Sequence, residues 1–222
     1  MHTTNIRNFE EAASGNMEQK INFQKRMENI LETVKESEKA PSLLLHSCCG
    51  PCSSYVLECL TAFFEVTVFY YNPNIYPEEE YEKRLSEQRR LIETVYGNRV
   101  GLMTLPYDHN DFLVAADGFE AEPEGGARCE KCFQFRLDKT AELAKENGFD
   151  FFATTLTVSP HKNAMILNRI GHESEKRIGS AVCWLESDFK KKNGYLRSIE
   201  LSKELNLYRQ IYCGCEFSQT SL

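Results

Sequence analysis

The stretch LLLHSCCGPCSS, residues 43–54, joins an apolar run to a cysteine-rich turn. The run at 43–45 predicts a buried strand, and the following residues from Ser53 to Phe63 predict a helix. The same alternation continues along the chain, with predicted strands at 64–74, 100–105, 149–155 and 180–186 and predicted helices at 76–96, 111–118, 129–148 and from 159 onward. Strands that alternate with helices indicate an α/β fold with a parallel sheet and helices on both faces.

Length and composition indicate one domain. The chain has 222 residues, of which 41% are hydrophobic, enough for one substantial core. We expect a disordered tail at 1–16 and a single α/β domain at 17–222 that opens with an amphipathic helix at 17–39. The N-terminus is polar, and no apolar run reaches the roughly 18 residues of a membrane span. We therefore expect a cytoplasmic protein without a membrane partner.

Three segments lie at the carboxyl ends of predicted strands and carry side chains that could bind a ligand or take part in a reaction. They are residues 48–52, residues 155–161 and Asp188. In open parallel sheets ligands bind beyond the carboxyl ends of the strands. The three segments are therefore predicted to share one crevice.

Most of the nine cysteines fall in short motifs. In a reducing compartment such cysteines are more often metal ligands or catalytic groups than structural bridges. Cys49 and Cys52 match the Cys-Gly-Pro-Cys of thioredoxins. The extra Cys48 and the pair Cys129 and Cys132 instead favour four thiolate ligands, which zinc and an iron–sulfur cluster both accept. Adjacent cysteines are awkward around one tetrahedral ion, so a cluster is favoured, and buried apolar cysteines are the remaining alternative.

The C-terminal pair Cys213 and Cys215 has a different spacing. Two cysteines that flank one residue in an extended chain lie near the upper limit for a disulfide, so a bridge requires the tight turn that Gly214 permits. Such a strained bridge is easily reduced, as catalytic and regulatory bridges are. The alternative is a third pair of zinc ligands.

Four ordered blocks together resemble a known family. The blocks are HSCCGPCSS, EPEGGARCEKCFQFRL, TTLTVSPHKN and WLESDFKKKNGYLRSIELSKELNLYRQIYCGCEFS, within residues 42–218. This combination resembles the epoxyqueuosine reductases of the QueH type. The resemblance implies a Rossmann-like fold of the adenine-nucleotide alpha-hydrolase class, a [4Fe-4S] cluster with a second metal, iron, nearby, and reductive deoxygenation of epoxyqueuosine to queuosine in tRNA, the last step of queuosine biosynthesis.

The resemblance also implies roles for individual cysteines. The cluster ligands fall on Cys48, Cys49, Cys129 and Cys132, and the redox-active pair falls on Cys213 and Cys215. The role of Cys52 stays open. Where related folds carry a phosphate-cradling Ser-Gly-Gly-x-Asp-Ser, this chain has residues 47–53, SCCGPCS, so no ATP chemistry is expected.

The reaction itself constrains the site, because opening an oxirane to an alkene and water consumes two electrons and two protons. A cluster delivers electrons singly and a dithiol delivers two, so both together could collect electrons from an external donor. A metal with an open position could polarise the oxirane oxygen. Asp188 is a candidate for binding that metal or supplying a proton, and a helix N-cap is its alternative role.

The expected macromolecular partner is tRNA that bears epoxyqueuosine at the wobble position. Unpaired bases are bound by stacking, with lysines on the backbone. Lys190, Lys191, Lys192 and Arg197 form the densest basic run, and His161 and Lys162 at a predicted helix start could bind a phosphate. A solvated surface is the alternative role for these charges.

Two other functions fit part of the pattern. A thiol–disulfide oxidoreductase would use Cys49 and Cys52, but it would leave the other cysteine pairs unexplained. A zinc-stabilised binding module would use the four ligands, but it would have no use for a strained Cys-Gly-Cys.

Overall fold

A computed structural model of the chain describes residues 21–219 and contains one five-stranded sheet. The strands are β1 (Ser42–Ser47), β2 (Glu65–Tyr70), β3 (Gly101–Thr104), β4 (Phe151–Thr154) and β5 (Cys183–Trp184). Their order is β3-β2-β1-β4-β5, and every neighbouring pair is parallel. The α/β fold with a Rossmann-like parallel sheet is confirmed. The predicted tail at 1–16 lies outside the described residues.

Helices connect the strands and cover both faces of the sheet. They are α1 (Phe23–Lys35), α2 (Gly50–Leu60), α3 (Glu78–Leu91), α4 (His109–Ala116), α5 (Ala127–Glu146), α6 (Ala164–Arg177), α7 (Gly194–Glu204) and the short α8 (Glu216–Gln219). Among residues 21–219, none of these helices is long and apolar enough to cross a membrane.

The central strand β1 separates two hydrophobic cores. Leu43 and Leu45 pack into a core with residues of α1 and α2, whereas Leu44 packs on the other side against residues of α5 and α6. All three leucines are fully buried. This alternation follows from the two-residue period of a strand, and burial on both faces explains why the run is apolar without interruption.

The predicted helix from 159 begins later than expected. Lys162 N donates to Ser159 O in a turn, and the N-cap is Asn163, whose side chain accepts from Met165 N. The apolar face of α6 starts with Ala164, because buried side chains such as Leu167 recur from there at helical spacing. His161 and Lys162 therefore lie in a loop before the helix.

Helix α1 is held against the carboxyl end of the sheet by a charged cluster. Arg26 Nη1 lies 3.0 Å from Glu186 Oε1, and His172 Nε2 lies 2.9 Å from the same carboxylate. Hydrogen bonds to Glu175 and then to Glu186 raise the pKa of His172 to about 9, so its ring is an imidazolium at neutral pH. Lys192 pairs with Glu28 of α1 in the same region. The helix and the loop that carries the lysine run are therefore tied together.

Candidate active site

The first cysteine motif occupies the turn between β1 and α2. Cys49 is the extended N-cap residue, with φ −174°, and the helix starts with Gly50 and Pro51. Pro51 suits this first turn because the missing N–H would have no partner in the helix. A Cβ on Gly50 would lie 3.3 Å from the backbone oxygen of Glu87, so glycine permits the close approach of α3.

Buried polar side chains hold this turn from below. The hydroxyls of Ser47 and Ser53 both donate to Gln88 Oε1, over 2.7 and 2.8 Å, and lie 2.6 Å from each other. Asn72 Nδ2 donates to Ser47 O. These contacts link the ends of β1 and β2 to α3, so the cysteine turn sits on a rigid base.

Three thiols converge above this base. The sulfur atoms of Cys48, Cys49 and Cys52 all lie within 4.8 Å of one another, and Cys48 Sγ lies 3.8 Å from Cys49 Sγ. Two ligands of a tetrahedral ion with sulfur bonds of about 2.3 Å are separated by about 3.8 Å, so the adjacent cysteines can face one ion, contrary to the expectation that they would be awkward around it. We call this set the three-thiol group. It could hold a metal.

The pKa values of the three thiols in this group are shifted in opposite directions. Hydrogen bonds from Cys49 and Cys52 keep the pKa of Cys48 well below its usual value. The same contacts with Cys48 raise the pKa of Cys49 to about 12 and that of Cys52 well above its ordinary value. A metal ion that bound all three sulfurs would therefore displace the protons of Cys49 and Cys52.

The second motif lies on the first turns of α5. Gly125 N donates to Cys129 Sγ over 3.2 Å, and Cys132 is buried at 7% exposure. Burial raises the pKa of Cys132 to about 12. Among the described residues, these two sulfurs are not part of the three-thiol group. Cys129 nevertheless packs against the same hydrophobic core as Cys48.

The third motif, Cys213 and Cys215, lies against the second. Cys215 shares a small hydrophobic cluster with Cys132, and Cys213 packs against that cluster. Both are free thiols in this structure. Burial raises the pKa of Cys215 above its ordinary value.

Lys162 lies beside the third motif and the helix that carries the second. Its Nζ lies 4.0 Å from Cys213 Sγ and 5.5 Å from the ring centroid of Phe133, one turn after Cys129. The Cys213 sulfur raises the pKa of Lys162 against the opposing effect of burial, with smaller contributions from Cys48 and Cys129. An ammonium group therefore lies beside Cys213 and the first turns of α5.

A basic cleft of about 780 Å³ adjoins this position. Its lining includes the predicted tRNA-contact residues His161, Lys162, Lys190, Lys191 and Lys192. The apolar side chains of Ile21, Phe23 and Met165 line the same cleft. We call it the basic cleft.

Some of the charged side chains in the cleft are paired with carboxylates and others, among the described residues, are not. Lys190 Nζ lies 2.7 Å from Asp188 Oδ1, and Lys192 pairs with Glu28. The side chains of Lys191 and His161 make no hydrogen bond or ion pair with residues 21–219. They are the cationic candidates that a ligand could engage without breaking an existing pair.

Two other predicted residues have different surroundings. Asp188 lines the basic cleft and is not part of the three-thiol group, and the N-cap of α7 is Asn193. Arg197 lies outside the cleft lining, and its guanidinium contacts three carboxylates, those of Glu58, Glu200 and Glu204.

His46, at the end of β1, is a core residue. Burial lowers its pKa to about 3, so the ring is neutral. Its Nε2 lies 3.2 Å from Tyr71 O and must donate to it, so Nδ1 accepts from the Thr154 hydroxyl. Neither ring nitrogen is available for a metal.

Sequence reasoning missed Arg84 of α3. Its side chain is 2% exposed, and Nη1 donates to Cys213 O over 2.9 Å. Arginines are frequent on the charged surface of a helix, so the sequence gives only a weak signal. The signal is the i,i+4 pair with Glu80, whose carboxylate lies 2.7 Å from Arg84 Nε.

Comparison with known proteins identifies close relatives. The profile of the family described as "Epoxyqueuosine reductase QueH" matches residues 43–221. The chain is 43% identical over 209 residues to the epoxyqueuosine reductase QueH of Streptococcus pyogenes serotype M1, covering 93% of this chain and 81% of that protein. It is 39% identical over 216 residues to the protein of that name from Staphylococcus aureus strain Mu50, covering 95% and 89% of the two chains.

A more distant relative has the same name. The epoxyqueuosine reductase QueH of Thermotoga maritima is 37% identical over 185 residues, which cover 80% of this chain and 90% of that protein. The range matched by the family profile, residues 43–221, includes all three cysteine motifs of this chain.

Proposed function

The chain belongs to the epoxyqueuosine reductase QueH family and is therefore an oxidoreductase, and we propose that it reduces epoxyqueuosine to queuosine in tRNA. The observation that carries this proposal is the position of Lys162. It lines the basic cleft, and its Nζ lies 4.0 Å from Cys213 Sγ. A nucleic acid bound in the cleft could therefore present one nucleotide to the cysteines.

We propose that a [4Fe-4S] cluster is held by Cys48, Cys49, Cys129 and Cys132, as the family resemblance implies. Thiolates are the ligands that such clusters use, and these cysteines lie on two segments that pack against the same core. We further propose a second metal ion, iron, near the cluster, with Cys52 as its candidate ligand because the Cys52 sulfur lies within 4.8 Å of the sulfurs of Cys48 and Cys49. When bound, these groups would supply single electrons and a Lewis acid.

The proposed role of Cys213 and Cys215 is to deliver a pair of electrons. Closing the dithiol breaks two S–H bonds, forms one S–S bond and releases two electrons and two protons. The oxirane takes up the same two electrons and two protons, so that one C–O bond opens, the second C–O bond breaks and water leaves. An external electron donor must then reduce the disulfide again.

The protein's own charged groups would manage the protons and the developing charge. Lys162 is placed to pair with a thiolate at Cys213 or to donate a hydrogen bond to the departing oxygen. Asp188 remains our proposed proton supplier from the cleft, where it pairs with Lys190. Cys215, whose pKa is raised by burial, would keep its proton until the electrons leave.

We propose that the basic cleft binds the anticodon loop. Lys191 and His161 would contact phosphates, with Lys190 and Lys192 nearby, and Met165 offers an apolar surface to an unpaired base. Arg197, whose charge is matched by carboxylates, would contribute only by exchanging those partners for RNA.

A direct conversion assay tests the proposed function. Protein purified without oxygen, loaded with iron and sulfide and supplied with reductant should convert tRNA-borne epoxyqueuosine to queuosine. Digestion of the tRNA and mass spectrometry should show the loss of one oxygen atom. If the loaded protein leaves the epoxide unchanged and rapidly reduces the disulfides of insulin, the thiol–disulfide oxidoreductase alternative is correct.

The metal content tests the zinc-binding alternative separately. A brown preparation with about four irons and four sulfides per chain, apart from any further iron, is expected for a [4Fe-4S] protein. A colourless preparation with one zinc per chain would support the binding module.

A further inference from the structure

The Cys213-Gly214-Cys215 turn has a backbone that is fixed from three directions. Arg84 Nη1 donates to Cys213 O over 2.9 Å, and Tyr76 N donates to Gly214 O over 2.9 Å. The third carbonyl, that of Cys215, accepts from Ser218 N over 3.1 Å. Each carbonyl of the motif therefore has a hydrogen-bond partner, although the segment lies in the loop between α7 and α8.

Arg84 also packs against the turn. Gly214 has φ +100°, a conformation that residues with a side chain rarely adopt. A Cβ on Gly214 would lie 3.0 Å from Arg84 Nη1 and 3.1 Å from Nη2, so the guanidinium occupies the space that a side chain would need. Glycine at position 214 therefore permits both the turn and the close contact with Arg84.

The guanidinium is itself held in place. Its Nε donates to Glu80 Oε1 over 2.7 Å, and the Tyr208 hydroxyl donates to the same carboxylate. The Tyr212 ring lies 5.1 Å from the guanidinium carbon. Because Arg84 is 2% exposed and fixed on three sides, it is a rigid support rather than a mobile surface cation.

We propose that Arg84 is a positioning residue for the Cys213–Cys215 couple, which it keeps in the left-handed turn that lets the two thiols close to a disulfide. Two residues apart, their Cα atoms can separate by up to about 7 Å in an extended chain. A disulfide usually needs about 4.4 to 6.8 Å, so the turn decides whether the bridge can form. The inference rests on the proposed redox role of this pair.

The positioning role of Arg84 can be measured through the equilibrium between the dithiol and the disulfide of Cys213 and Cys215. Without Arg84 the dithiol samples more open conformations, so the effective concentration of one thiol at the other falls. We expect the equilibrium constant for closure to fall about tenfold, the effect of losing one hydrogen bond from a charged donor. For a two-electron couple a tenfold change corresponds to about 30 mV towards a higher reduction potential.

The chain offers a clean readout of this equilibrium. Trypsin cleavage after Arg209 releases residues 210–222, in which Cys213 and Cys215 are the only cysteines. The metal-loaded protein is equilibrated in buffers of defined ratio of reduced to oxidised glutathione, quenched with acid, alkylated and digested. The masses of this peptide then give the fraction of closed disulfide.

The variants separate positioning from loss of folding. Arg84→Lys keeps the charge but not the planar contact, and Glu80→Gln/Arg84→Gln avoids leaving a buried carboxylate without its cation. Arg90→Gln is the matched control, because Arg90 lies on the same helix and donates to Leu205 O and Asn206 O, upstream in the same segment.

The expected result is a shift of about tenfold in both Arg84 variants and none in Arg90→Gln. Folded, metal-loaded Arg84 variants with the wild-type equilibrium would overturn the role of Arg84 alone. If the wild-type pair never closes in any buffer, the proposed redox role of the pair fails as well. The two failures are therefore distinguishable.

Discussion

Replacing Lys162 separates chemistry from RNA binding, because its stem lines the basic cleft while its Nζ lies 4.0 Å from Cys213 Sγ. If Lys162 stabilises charge at the cysteines, Lys162→Met should slow the reaction at saturating RNA. Two unit charges 4 Å apart interact by about 4 kcal/mol at an effective dielectric constant of about 20. That energy bounds the effect at about a thousandfold, and we expect a loss of between about tenfold and a thousandfold.

RNA affinity should depend on Lys191 rather than on Lys162. Lys191→Met removes an exposed cation of the cleft that has no protein partner among residues 21–219. For single-stranded RNA each lost phosphate contact lowers the salt slope by about 0.7, which at 0.15 M salt corresponds to about fourfold weaker binding. Lys162→Met should change the affinity by less than about twofold, since its charge faces sulfur.

Two measurements on one RNA decide between these roles. An anticodon stem-loop that bears epoxyqueuosine serves for fluorescence anisotropy and for single-turnover conversion followed by nucleoside mass spectrometry. Lys162→Arg should recover part of the rate because it keeps the positive charge. The reasoning is wrong if Lys162→Met weakens RNA binding as much as Lys191→Met does while the rate at saturating RNA is unchanged.

Three further outcomes are expected. Cys213→Ser should keep its iron and absorbance and lose turnover, with Cys59→Ser as the unaffected control; an iron-free Cys213→Ser would make the pair a ligand set. Cys49→Ala should lower iron and sulfide content, and normal content would remove it from the proposed ligands. The unfolding free energy should fall by about 1 kcal/mol between pH 6.5 and 9, a value that allows for solvent screening of the half-buried His172. The pKa of His172 is near 6.5 in the unfolded chain and about 9 in the folded protein. The stability that protonated His172 contributes is therefore complete below pH 6.5 and is lost as the pH rises through about 9. His172→Gln should remove this slope in urea denaturation, and an unchanged slope would contradict the assignment.

The sequence predicted the sheet, and a contact between two of the three segments expected in one crevice, because both follow from local patterns. The apolar run at 43–45 sits between two cores, and its turn carries the cysteines, as the alternation of strands and helices indicated. Thr155, at the end of β4, contacts Cys48: its Oγ1 accepts from Cys48 N over 3.3 Å. Two of the three segments predicted to share one crevice, residues 48–52 and 155–161, are therefore in contact, and they follow neighbouring parallel strands.

The directions in which side chains point could not be predicted from the sequence alone. The assignment of Lys162 to phosphate binding stays a prediction, but the helix predicted to start at Ser159-Pro160 starts at Ala164, and the lysine Nζ lies 4.0 Å from Cys213 Sγ. Ser159 and Asn163 are both good N-caps, and only packing of α6 against the sheet selects Asn163. Arg84 is separated from Cys213 by more than a hundred residues, so no local pattern could reveal their contact.

The pKa shifts of the thiols fit the two roles that the proposed function gives to its cysteines, metal ligand and dithiol reductant. In the three-thiol group, Cys48 has a lowered pKa because neighbouring thiols donate to it, which suits a sulfur that binds a metal. Cys215 has a pKa raised by burial, which suits a sulfur that must carry a hydrogen. Removing an oxirane oxygen as water requires protons as well as electrons, so a site with metal-bound thiolates alone would lack a proton source at the sulfur atoms. In the proposed function, the dithiol of Cys213 and Cys215 beside the Lys162 ammonium group would supply both.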